Sequence, residues 1–150
     1  MSTKKEGAIF DIFMRTQSFI PAPFIGATLA YCIFLYYLSS QSSFPFESPF
    51  AAFDKIVHMC LFGGLSAMVA MGLHRAKHAY SAAALVLIPV AFSTLYGLTD
   101  EAHQLFVASR MFAVGDLAAN ALGSTIAALL VLHVGRHRKA AGGSGDNHRR

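Results

Sequence analysis

The chain has 150 residues, 55% of them apolar and only 13% charged, with a net charge of +4. That length allows one domain. A mean hydropathy of +0.49, with the apolar residues gathered into long runs where a soluble helix would show a stripe, excludes a water-soluble globule.

Residues 1–18 carry Lys4, Lys5, Glu6, Asp11 and Arg15 among Ile9, Ile12, Phe13 and Thr16 at helical spacing, which predicts a short amphipathic helix on the membrane surface. The first apolar run, Phe19 to Leu38, is long enough to cross roughly 30 Å of hydrocarbon. Its length and the leader before it argue against a cleaved signal peptide, although Ser39 to Ser43 offer small residues for cleavage. SSQSSFPFESPF, with Pro45 and Pro49, reads as an interfacial loop. A second span is expected from Phe53 to Leu73 and a third from Tyr80 to Leu98, joined by the basic turn HRAKH; Pro89 is a candidate kink in the third. A polar connection leads to a fourth span from Asp116 to Val134, and 135–150 reads as a disordered basic tail. The expected fold is therefore all-α, a bundle of four transmembrane helices over 19–134 between an amphipathic leader and a tail. Cys32 and Cys60 fall in apolar runs without metal-ligand spacing and read as buried, inert thiols.

Ten of the twelve Lys and Arg residues fall on one side of this four-span arrangement, leaving Lys55 and Arg110 for the other. This distribution argues for membrane topology and against nucleic-acid binding. The positive-inside rule places both termini in the cytoplasm. Two distant stretches, FDKIVH and the polar residues between Asp100 and Asn120, then meet at the opposite, extracytoplasmic face.

Polar groups at the edge of hydrocarbon are costly, so this cluster asks for a reason. Asp54 and His58 are four apart and share a helix face; Asp54 could equally cap the second span, and Lys55 could snorkel to headgroups. Glu101 and Gln104 share a face if the third helix continues, whereas Asp100, one step round, is expected to face water. Arg110 calls for an anionic partner: Glu101, Asp116, or a phosphate. Asp116 is positioned to cap the fourth span, and Asn120, one turn on, can hydrogen-bond across helices. Small residues at Gly63, Gly64 and Ala67, and at Ala119, Gly123 and Ala127, suit close helix packing. His74, His78, His133, His137 and His148 read as interfacial or tail residues, and the role of His103 is open.

These motifs, in order, resemble the VanZ-like membrane proteins. The resemblance rests on Ser39-Ser40-Gln41, Asp54-Lys55-x-x-His58, Glu101-x-x-Gln104, Arg110 and Asp116-x-x-x-Asn120-x-x-Gly123, and covers roughly residues 24–134. Phe62 stands where that family often has Tyr, and Ala108-Ser109 replaces a frequent Pro-Gly. The resemblance implies a multi-pass protein of the bacterial cytoplasmic membrane. Name-giving members of that family are associated with lowered susceptibility to glycopeptide antibiotics, notably teicoplanin.

Three functions fit the residues. The first is an enzyme acting on an anionic lipid-linked envelope substrate: His58, Glu101 and Asp116 form its catalytic group, while Asp54, Lys55, Gln104, Arg110 and Asn120 bind substrate. The second is a module that binds or masks a cell-wall precursor or antibiotic without turnover. The third is a structural bundle whose polar network fixes helix packing. Membrane lipids are the expected partners, and no cofactor is expected. No spacing is diagnostic of a metal, although His58, Glu101 and Asp116 are a set that could take a divalent cation.

Overall fold

A helix satisfies its own backbone groups, which is the condition that hydrocarbon sets on any segment crossing it. The computed structural model describes residues 20–41, 52–76, 79–107 and 111–143. Among the described residues it contains four helices long and apolar enough to cross a membrane. They are α1 (Ala22–Ser39), α2 (Phe53–His74), α3 (Ala84–Gln104) and α4 (Val114–Gly143). The chain is thus an all-helical, multi-pass membrane protein. The expected leader helix over 1–18 lies outside the described residues.

Two boundaries differ from expectation in ways that bear on the site. α3 runs on past Leu98 through Gln104, carrying Asp100 and Glu101 inside the helix. α4 begins at Val114 and extends to Gly143, so 135–143 is helical where a disordered tail was expected.

α2 and α4 make the most extensive contact, α3 packs on both, and α1 lies mainly against α2. Small residues explain the first of these. A Cβ on Gly123 would overlap the Met59 carbonyl, and one on Gly63 would stand 3.1 Å from the Gly123 carbonyl oxygen. Buried hydroxyls tie the helices where side chains are short. Ser93 donates to the Phe62 carbonyl at 2.7 Å, Ser124 to Ser93 at 2.9 Å, and Ser66 to the Ser124 carbonyl at 2.8 Å. Two tyrosines do the same for α1: Tyr31 donates to the Leu61 carbonyl at 3.0 Å, and Tyr96 to that of Cys32 at 2.6 Å. Leu35, Phe62 and Leu65 form the apolar centre around which these bonds are arranged.

The outside of the bundle is apolar: Leu29, Ile33, Leu87, Leu95, Leu122 and Leu129 all point outward. In water so much exposed hydrocarbon would drive aggregation; in a bilayer it is the solvated face. Cys60 also faces outward, contrary to the buried position expected of it.

Candidate functional site

At one end of the bundle the start of α2, the end of α3 and the start of α4 come together, and α1 ends beside them. His58, on the second turn of α2, is the hub. Its Nδ1 lies 3.1 Å from Asn120 Oδ1. A carbonyl oxygen only accepts, so Nδ1–H is the donor, and in the neutral ring Nε2 then carries the lone pair. That Nε2 faces Asp116 Oδ2 at 3.7 Å, while Glu101 Oε1 lies 3.9 Å from Nδ1. Phe62, one turn further along α2, stacks parallel to the imidazole at 6.0 Å between ring centroids. Its ring forms an apolar floor beneath the polar cluster.

Glu101 is wholly buried. Its Oε2 accepts the Ala113 backbone N–H at 2.9 Å, immediately before α4 begins. Among the described residues Oε1 has no hydrogen-bond partner. Leaving a buried acceptor unsatisfied costs about 1–3 kcal/mol, more when it is charged. Such a group at a cluster of titratable side chains marks a site better than it marks a fold.

Asp116 and Asn120 occupy successive turns of one face of α4. Asp116 Oδ1 accepts from Lys55 Nζ at 3.1 Å, and Lys55 also reaches Asp54 Oδ2 at 3.0 Å. Lys55 and Asp54 remain about half exposed, whereas the Asp116 side chain is nearly covered. Asn120 is wholly buried. It enters the interface because residue 97 is glycine: a Cβ there would stand 2.6 Å from Asn120 Nδ2. One ligating atom from each of His58, Glu101 and Asp116 lies within 4.8 Å of the others.

Several expected pairings are different in the structure. Asp100 is buried and does not face water. The continued helix turns it inward, where it accepts from Gln104 Nε2 at 3.3 Å. Gln104 is therefore the partner of Asp100, four residues before it, and not of Glu101. Asp54 does not cap α2; its carboxylate is taken by Lys55, and Ala52 precedes the helix without a side-chain cap. Asp116 does not cap α4 either. It lies in the first turn, and the N–H preceding the helix is satisfied from α3 by Glu101. Arg110 lies outside the described residues. His103 joins the end of α1, with Nε2 3.2 Å from Ser40 Oγ and its ring 4.6 Å from that of Tyr36. Gly97 went unnoticed in the sequence; the signal that could have found it is its position one turn before Glu101, in a helix otherwise filled by larger residues.

The VanZ/LLP1 family pattern matches residues 5–135, most of the chain. The chain belongs to the VanZ/LLP1 family. No curated protein and no solved structure matches it. Within this VanZ-family bundle the residues that carry the motifs fall into two groups. His58, Glu101, Asp116, Asn120 and Lys55 converge on one cluster, while Asp100, Gln104, Ser40 and His103 bond beside it.

Proposed function

We propose that this VanZ-family protein is an enzyme of the bacterial cytoplasmic membrane, with its reactive cluster at the extracytoplasmic face and an anionic, lipid-linked envelope molecule as substrate. The orientation rests on the distribution of Lys and Arg, with both termini in the cytoplasm. The observation that carries the reading is His58 set between two carboxylates where α2 begins, with Asn120 fixing its orientation. His58, Glu101 and Asp116 are the groups that handle protons or a polarising charge at the reacting atom. Lys55, half exposed, and Arg110 present cations to the substrate's phosphate or similar group. A lipid-linked substrate fits because its anchor stays in the hydrocarbon while its headgroup reaches the cluster. A role in glycopeptide susceptibility would follow if that substrate belongs to cell-wall synthesis.

The test is release of phosphate or headgroup from polyprenyl phosphates and phospholipids by the protein purified in detergent. Turnover by wild type and none by the His58→Ala, Glu101→Ala double variant is expected; equal rates end this reading. A non-catalytic reading, in which the cluster binds a precursor or teicoplanin or only fixes packing, has one observation behind it. Glu101 and Gln104 make hydrogen bonds that serve the fold itself. Its binding form predicts that the double variant still changes teicoplanin susceptibility in a sensitive host, and its packing form predicts loss of folded protein in each single alanine variant.

A further inference from the structure

We infer that His58, Glu101 and Asp116 bind a divalent transition-metal cation of the Zn²⁺ class, with Asn120 as the residue that orients the histidine ligand. The inference shares its site with the proposed reaction and adds the occupant.

Four observations converge on a cation. The first is spacing. The 3.7 Å between His58 Nε2 and Asp116 Oδ2 is too long for a hydrogen bond. A proton held between them would draw the pair in to about 2.8 Å. Ligands held about 2.1 Å from a shared zinc stand roughly 3.4 Å apart in a tetrahedron, close to that gap, and one ligating atom from each of His58, Glu101 and Asp116 lies within 4.8 Å of the others. The second is the tautomer: in the neutral ring, with Nδ1–H given to Asn120 Oδ1, the Nε2 lone pair is directed at a carboxylate oxygen, and two electron-rich atoms face each other. A hydrogen bond from the other ring nitrogen is the arrangement that prepares a histidine to ligate metal. The third is Glu101 Oε1, wholly buried and unpartnered among the described residues. The fourth is charge: Glu101, Asp116 and Asp54 are three carboxylates against one ammonium, that of Lys55, which bonds both aspartates, and the two negative charges left over match a dication. The donor set of one nitrogen and two oxygens suits zinc or manganese better than magnesium. Three protein ligands leave a position open, as in catalytic and not structural sites.

The chain holds a rival pair. The rings of His133 and His137, one turn apart on α4, lie 4.4 Å apart at the other end of the bundle and could also take up zinc. The experiment is calorimetric titration of chelator-stripped, full-length protein in detergent with ZnCl₂, repeated with MnCl₂ and MgCl₂, and without any substrate. One tight equivalent of Zn²⁺ per chain is expected, with Mn²⁺ weaker and Mg²⁺ weakest. Glu101→Gln and His58→Ala should lose that equivalent. Asn120→Ala, through the imidazole's orientation, should weaken it about 10- to 100-fold. His133→Ala with His137→Ala, and separately Arg110→Ala, should leave it intact. Circular dichroism and gel filtration establish that each variant is folded; if Glu101→Gln is not, His58→Ala and Asn120→Ala decide. Should the tight equivalent be missing from wild type, or disappear only with His133 and His137, the site is not a metal site. Since no substrate is present, an inactive protein that binds Zn²⁺ removes the proposed reaction and keeps this inference; an active protein that binds none does the reverse.

Discussion

The two ends of the bundle solve the problem of charge near hydrocarbon in opposite ways. At the end where α2 begins, charged groups are matched across helices and two of them are buried: Asp116 and Asp54 with Lys55, Glu101 with the Ala113 N–H. At the other end, Arg75 and Arg138 line an apolar groove with His74, Met71, Leu130, Val131 and Val134. Arg75 there lies over the Phe24 ring at 5.6 Å, and among the described residues no carboxylate pairs with it. Unmatched cations at an interface anchor and orient a membrane protein. A buried polar cluster costs desolvation energy, and perturbed titratable groups gather at functional sites. The difference makes the end where α2 begins the candidate site.

The comparison can be broken or sharpened by substitution. The largest expected effect is that of His58→Ala, which should lower turnover in the phosphate-release assay by about 10²- to 10⁴-fold, the worth of a proton-transferring or charge-stabilising group. Arg75→Gln with Arg138→Gln should leave that rate unchanged; a parallel loss would mean that the two ends are not functionally distinct. Next come two glycines of α4 that differ only in what lies against them. Gly123→Ala meets the Met59 backbone and should cost about 1–3 kcal/mol or more in thermal or denaturant unfolding. Gly135→Ala meets only the end of the His74 side chain, which can turn away, and should cost well under that. Lys55→Met should raise KM about tenfold with a smaller change in kcat, as expected for one charge-assisted hydrogen bond to an anion. Smallest is Ser40→Ala, which removes the bond to His103 and should lower stability by about 0.5–1.5 kcal/mol without changing KM.

Much of this arrangement was legible in the residues. Charges that interrupt long apolar runs must lie near the ends of spans, and alternate span ends share a face. His58, Glu101, Asp116 and Asn120 could therefore be brought together before any coordinate was known. Which of them touch was less legible, because neighbouring helical residues differ by about 100° in direction and the phase depends on where a helix stops. Ending α3 at Leu98 turned Asp100 toward water; its continuation to Gln104 buries Asp100 and gives it Gln104 as partner. The cap of α4 was illegible for a different reason: the N–H is satisfied by a carboxylate from another helix, and no local pattern announces that. Ser66, Ser93 and Ser124 hide in apolar runs as ordinary small residues, and only the packed structure reveals that they bond one another's helices. The helical stretch at 135–143 carries a composition that reads equally well as coil.

The reach of Glu101 to the Ala113 amide makes a single carboxylate the tie between the end of α3 and the start of α4 and a neighbour of His58 at once. Anything that draws this side chain toward His58 pulls on the start of α4. Occupancy of the cluster and the seating of α4 are therefore mechanically linked, and the start of α4 can be redesigned only in forms that hand an amide back to Glu101.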